Sequence, residues 1–448
     1  MNELKELARH VLEVARAEGA DDVVTEAINS SIAQVRFSNN QIDCINSWNE
    51  KHVALFVAVG RRIMSTDLRA LDSKDSLARE LVALAKKAPP SKIYGGIAKG
   101  KFKYRPGKID KRIVGLSDPS KYVLDAIEGA ESAGANNIGG TFYVRHGRNA
   151  IASSGGAFGS DESASVDLSV RAFVQPEASG HAVCCAAKLS DLDARGIGEK
   201  AGEMGVRAKN PVQGEEGKMD IIMEPLFLGS VTQSTSHMMS AMSVEIGASM
   251  YAKKIGKRVA SNEVTFVDDP TITSTSRRSY DHEGVPTRRN VLIKDGVFKT
   301  YLHNTSTAKR FKTKTTASAG PLIPTANAMA AQPLPFHPVL TPGDWKLDEI
   351  IADTKRGLYF NNTWYTRFQN YSTGEFSTIP RDAILRIENG EVVGSVKNIR
   401  VSDNLMNLWK SVDALSKAAE EVYWWDEASP PSTLPIARAT GMNITRSS

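Results

Sequence analysis

Cysteine is scarce: the 448 residues hold three, Cys44 and the adjacent pair Cys184 and Cys185. Three cysteines cannot make a disulfide framework, and no spacing is C-x-x-C, which removes a zinc knuckle and a thioredoxin-like site. A reducing, cytoplasmic compartment is the expectation. No run approaches the ~18 apolar residues of a membrane-spanning helix. Neither sign of charge dominates, since 56 Lys and Arg stand against 51 Asp and Glu, a net of +5. That excess is too small to imply nucleic-acid or membrane binding. H-E-x-x-H and the G-x-S-x-G elbow are both absent, and no two of the eight histidines lie within six residues of each other. No histidine has a sequence context that pairs it with a nucleophile, which lowers the case for acyl transfer; such pairings are spatial, so the sequence does not close it.

What is present is an ordinary globular composition, 41% hydrophobic and 24% charged, long enough for two cores. Leu4, Leu7, Ala8, Val11, Leu12 and Ala15 recur at helical spacing. Charged residues between them rule out the continuous apolar stretch of a signal peptide. Strand-like runs follow at 32–37, 41–48 and 52–59, with Asn39-Asn40 as the first turn. A helix containing Leu77, Leu81 and Leu84 stops before Pro89 and Pro90. A similar order recurs, with a helix at 122–133 and strands at 140–146, 150–153 and 165–174. VRFSNNQID (35–43) can be laid over VRHGRNAIA (144–152). An internal duplication of 1–90 and 119–207 is one reading, and two ordinary meanders is the other.

The fold class predicted is α+β. An N-terminal helix and antiparallel-sheet domain, 1–210, precedes a hairpin-rich, mainly β domain, 219–448, with a long helix at 226–250. Asp295-Gly296 and Asn389-Gly390, each flanked by apolar alternation, predict tight hairpins. A proline-rich loop at 321–342 and a last helix at 405–421 complete the reading. Between the N-terminal units, 92–112 holds eight Lys or Arg and one acid and reads as a basic, flexible excursion. Within it Gly95 to Lys101 matches G-x-x-x-x-G-K. Phe102 follows where Mg²⁺ chemistry needs Ser or Thr, and no helix pattern begins, so nucleotide binding is set aside.

Longer phrases in the C-terminal half carry a resemblance: VASNEVTFVDDPTI (259–272), DHEGVPTRRNVLIKDGVFKTYLHNTSTAKRFKTKTTASAG (281–320) and TGEFSTIPRDAILRIENGEVV (373–393). With VRFSNNQID, GRRIMSTDL and GAFGSDESASVDLSVRAFV further upstream, they resemble the TldD/PmbA family of metallopeptidases over nearly the whole chain. The resemblance implies two subunit types. One carries an H-E-x-x-x-H helix whose histidines, with a later cysteine, bind zinc while the Glu acts as general base. The other lacks the motif and pairs with the first to degrade peptides or unfolded segments.

Aligned on 259–261, the motif falls on 232–237, so Thr232 and His237 stand at the ligand positions and Gln233 at the general-base position. Thr is not a usual zinc donor, and a neutral amide takes no proton from metal-bound water. From Leu385 onward there is neither cysteine nor histidine. Residues five apart on a helix differ by about 140° in projection, so the parent motif needs a widened turn or a helix end. The resemblance thus implies a PmbA-like (TldE-like) chain with no catalytic residue and no metal of its own, zinc residing in a motif-bearing TldD-like partner, or else a homodimer, acting on an extended peptide. Met238, Met239, Met242 and Met250, with Trp424 and Trp425, are the candidate interface. The basic residues of 92–112 and Lys309, Arg310, Lys312 and Lys314 are read as solvated surface or as attraction for acidic peptides. Two rivals stand beside this reading. One is an active metallopeptidase with a non-standard site from Asp268, Asp269, Asp281, His282 and His303. The other is a regulatory binding protein, in line with the family's association with modulation of DNA gyrase.

Overall fold

The computed structural model describes residues 1–174, 177–324 and 329–446. The first half forms one antiparallel sheet of β1 (Asp22–Ser38), β2 (Gln41–Val59), β3 (Arg62–Leu68), β4 (Asn137–Ser153), β5 (Phe158–Val174) and β6 (Ala178–Ala186), in the spatial order β3-β2-β1-β4-β5-β6. Asn39 and Asn40 turn β1 into β2 with φ of 49° and 63°, the positive values that match the strand twist in tight hairpins. The runs at 41–48 and 52–59 are one strand. Asn49, Glu50 and Lys51 pair with Ser31, Ser30 and Asn29, so backbone pairing continues where exposed polar side chains read as a break. Similarly, 140–146 and 150–153 are parts of β4.

Helices α1 (Asn2–Ala17) and α2 (Lys74–Lys87) lay Leu4, Ala8, Val11, Leu81 and Val82 on the β1–β3 half of the sheet. α3 (Ser120–Ser132) and α4 (Ala194–Arg207) cover the β4–β6 half. The path α-β-β-β-α is therefore traced twice, with β1 and β4 antiparallel at the centre. The stretch 144–152 lies inside β4 whereas 35–43 crosses the β1–β2 turn, so the two nonapeptides occupy different places in their units.

The second half is built on a larger sheet, twelve strands among the described residues. Its centre is β7 (Gly217–Met223), parallel to β8 (Arg356–Asn370) and antiparallel to the last strand; β8 continues antiparallel into β9 (Glu375–Glu388) and β10 (Glu391–Lys397). Asp295-Gly296 and Asn389-Gly390 are hairpin turns with positive φ throughout. The helix expected at 226–250 is shorter. α5 (Pro225–Met238) ends, Ser240 bridges to Leu302, and a five-residue helix, Ala241–Glu245, follows. The four methionines offered as an interface, Met238, Met239, Met242 and Met250, are all buried; they fill the C-terminal interior where this broken helix needs adaptable side chains. The expected helix at 405–421 also differs. α6 (Leu405–Ser411) gives way to β11 (Val412–Trp424), paired with β12 (Ala428–Arg446). Val412, Ala414, Leu415 and Val422 are buried there against that partner, and sheet contacts outweigh a weak helical pattern. In the proline-rich segment 325–328 lie outside the described residues, and the rest is loop with one short strand, Pro338–Leu340.

Trp409 ties α6 to α5. It is fully buried, sits edge-on to Phe266, and donates its indole N–H to Thr235 Oγ1 at 2.8 Å. Trp409→Phe removes that donor and leaves a gap, so urea unfolding should show a loss of about 1–3 kcal/mol. An unchanged midpoint would mean that the indole does not hold α5.

Candidate functional site

α5 enters the interior behind Pro225, which suits the first turn of a helix. Leu226, Phe227, Leu228 and Val231 are buried along it, and Phe227 stacks on Phe360 at 5.1 Å. Its last turn stops at Met238, one residue beyond His237. Hydroxyls add to the bonding of carbonyls in its last turns, where His237 O also accepts from Ser240 N at 3.1 Å. Ser236 donates to Gln233 O at 3.0 Å, Ser243 to His237 O at 2.8 Å, and Ser249 to Met238 O at 2.5 Å.

Gln233 and His237 face a cavity of about 1210 Å³. Phe56, Ile63 and Met64 of the N-terminal sheet line one side, and Thr366 and Phe368 of β8 another, so both halves of the chain build it. His237 Nδ1 donates to Gln233 O at 2.9 Å, leaving Nε2 as the free lone pair, and burial lowers its pKa, which keeps the ring neutral. Gln233 Oε1 accepts from Ser429 N at 3.1 Å. Thr232 is fully buried, does not line the cavity, and its hydroxyl has no partner. One imidazole, one amide and a hydroxyl aimed elsewhere do not fit a catalytic zinc, which takes three protein ligands and an open position. No group of three or more His, Cys, Asp or Glu placed to hold an ion occurs among the described residues.

The residues of the alternative site make separate local contacts, although Asp268 Oδ2 is buried without a hydrogen-bond partner. Asp268 Oδ1 accepts from Phe336 N and His337 N; Asp269 Oδ1 closes a turn onto Thr271. Asp281 accepts three backbone N–H groups, from Glu283, Val285 and Ala319. His282 donates from Nδ1 to Glu26 at 2.6 Å and accepts at Nε2 from Arg278 at 2.9 Å, so neither nitrogen is free. Burial opposes ionisation of Glu26, but the His282 and Arg278 side chains outweigh it and hold that carboxyl down at about 2. His303 meets Thr307 at 3.2 Å.

The basic segment is less free than its composition implies. Ile97 and Ala98 are buried, Tyr94 donates to Asp22 at 2.7 Å, and Tyr104 donates to Gly284 O at 2.7 Å. Irregular backbone is pinned here by aromatic anchors that a count of lysines does not register. No helix follows Lys101, and α-helix next appears as the single turn Lys111–Val114. Arg310 pairs with Glu245 and Lys309 donates to Gly95 O.

One juxtaposition has no sequence signal. Ser276 Oγ lies 2.7 Å from His337 Nδ1, but His337 Nε2 contacts Thr433 Oγ1 rather than a carboxylate, and burial lowers the ring's pKa to about 4. A base so weak, without an orienting acid, is poorly suited to activating that serine.

Comparisons with known proteins agree with the architecture. Residues 110–209 match the central domain and residues 216–446 the C-terminal domain of the PmbA/TldA metallopeptidases. A metalloprotease of Methanothermobacter thermautotrophicus is 31% identical over 235 residues, 51% of this chain and 49% of that protein. A metalloprotease of Methanocaldococcus jannaschii is 31% identical over 217 residues, 46% and 45% of the two chains. The chain spans about half the length of the curated relatives it matches. TldE from Thermococcus kodakarensis superposes with a TM-score of 0.86 at 19% identity, covering 98% of this chain and 100% of that one. A Bacteroides thetaiotaomicron protein described as a proposed modulator of DNA gyrase gives 0.83 at 20% identity, covering 100% and 99%. At such identities the superpositions speak to the fold alone. Two domain matches that together span most of the sequence, on this architecture, place the chain in the TldD/PmbA (PmbA/TldA) metallopeptidase family.

Proposed function

We propose that this chain is the non-catalytic subunit of a two-chain metallopeptidase. It holds an extended peptide in the cavity beside α5, while a motif-bearing TldD-like partner supplies zinc and the general base. The observation that carries the reading is the division at the degenerate motif: Gln233 and His237 reach the cavity, and Thr232 does not. A neutral amide stands where the base must act, and amides do not accept protons near pH 7. The hydroxyl, amide and apolar lining suits peptide backbone and side chains, and exposed strand edges bind extended backbone with little regard for sequence. The assembly is at least dimeric on this reading and works in the cytoplasm.

Elemental analysis of protein purified without chelator tests the proposal. The expected content is far below the ~1 zinc per chain of a working site, with no hydrolysis of unfolded peptide by the chain alone. Chelator-sensitive cleavage should appear on mixing with a relative that retains H-E-x-x-x-H. Stoichiometric zinc with hydrolysis by the pure chain would overturn it.

A further inference from the structure

The cavity lining has an unusual charge composition. The chain carries 56 Lys and Arg, yet none is among the described residues that line this cavity, and the single acidic side chain there is Asp426. His237 adds no positive charge, being held neutral by burial. The rest is apolar or hydroxyl- and amide-bearing, with Met64, Met238 and Met329 supplying side chains that adapt to varied shapes. Asp426 is exposed and no ion-pair partner is recorded for it among the described residues. Arg367 lies over Tyr365 at 4.6 Å and Arg381 over Trp364 at 5.5 Å, and the positive charge of both acts on Glu427, next to Asp426 in the chain. Tyr371, 54% exposed, also lines the cavity and offers a further π-face to a cation.

We infer that the cavity selects apolar peptide segments carrying a cationic group, such as an ammonium, which Asp426 receives. This rests on the reading of the cavity as a peptide site and adds its charge preference. Of the two readings of the basic runs, solvated surface agrees with it: no Lys or Arg is among the described residues that line the cavity, Lys99 approaches Asp22 at 3.7 Å, and Lys309 and Arg310 are tied to the 92–112 segment and Glu245.

The test uses the full chain and capped, fluorescein-labelled octapeptides of Leu, Phe and Ser with one central Lys, norleucine or Glu. A fourth peptide has norleucine at the centre and an uncapped α-amine, which separates a side-chain ammonium from a terminal one. At low salt the Lys peptide should bind wild type about threefold to fivefold tighter than the norleucine peptide, the scale of one exposed ion pair. That preference should vanish in Asp426→Asn and in high salt, where exposed charges are screened. Ala248→Trp, which narrows the cavity from one wall, should weaken all the peptides alike. Equal binding of all peptides, unchanged in Asp426→Asn, would overturn the inference and leave the peptide site standing, as would tightest binding by the Glu peptide. No binding by any peptide would overturn both.

Discussion

Replacing Gly198 by alanine is expected to destabilise the protein by about 1–3 kcal/mol, although the same change in an open helix stabilises by about 1 kcal/mol. The sign is set by contact between two backbones. A Cβ at Gly198 would lie 1.9 Å from Ala126 O and 3.0 Å from Ala130 N, both on α3. The facing Gly129 is equally confined, with its Cβ position 2.2 Å from Arg195 O, and Gly202 would meet Ala130 O at 2.7 Å. α3 and α4 therefore cross with no side chain between them, and an added methyl has no flexible neighbour to displace. It can enter only by prising the helices apart, which uncovers Ala126, Ala130, Ala201 and Met204 beneath them. Urea titration provides the measurement, with exposed Glu203→Ala on the same helix as a control expected within about 0.5 kcal/mol of wild type. A Gly198→Ala protein as stable as wild type, or more so, would contradict the close crossing.

That helix also shows where the sequence stopped being legible. Gly196, Gly198, Gly202 and Gly205 run against helix propensity, and they mask a helix whose Asp193 N-cap and buried Ala194, Ala201 and Met204 do follow helical spacing. The glycines are there because the partner backbone is, and that proximity between segments distant in sequence is what local composition does not record. β6 was missed for a related reason: ASGHAVCCA has small residues where strand patterns expect large ones, and Gly180 packs directly beneath Ala201 O. By contrast the opening helix, α2, α3 and the Asn-Gly and Asp-Gly hairpins were legible, because amphipathic spacing and positive-φ turn residues are local properties. The 405–421 misreading lies between these cases, since alternation and helical spacing overlap in so short a run. At the site, Gln233 and His237 were reachable only through resemblance to a family motif. Phe56, Ile63 and Thr366, which close the cavity around them, come from strands whose own patterns say nothing about each other.

Glutamine at position 283 should make the protein more stable at alkaline pH and little different in mild acid. Glu283 and Asp281 are buried two residues apart, and they divide one problem unequally. Burial raises the Asp281 carboxyl to about 6, and the three backbone N–H groups it accepts hold it below that of Glu283. Glu283 has only Thr305 N at 3.0 Å, beside a small cavity it shares with Ile97, Leu322 and Tyr94. Burial, then the charge of Asp281, pushes its carboxyl up to about 8, so Glu283 is the partner that keeps its proton. A carboxyl whose pKa is higher folded than unfolded costs nothing below the unfolded value of 4.5. As pH rises, the unfolded chain releases the proton while the folded one must retain it, so stability falls until pH passes about 8 and is level beyond. Glutamine keeps the oxygen that accepts from Thr305 and cannot ionise. The stability of Glu283→Gln relative to wild type should therefore climb by roughly 2–4 kcal/mol between pH 5 and 8.5. Denaturant melts across that range keep Glu26, which ionises near 2, out of the measurement. Asp281→Asn, by removing the neighbouring charge, should reduce the pH dependence that remains in an otherwise wild-type chain. If the Glu283→Gln and wild-type curves run parallel from pH 5 to 8.5, Glu283 is already ionised in the folded protein, and the proton belongs to Asp281 or to neither.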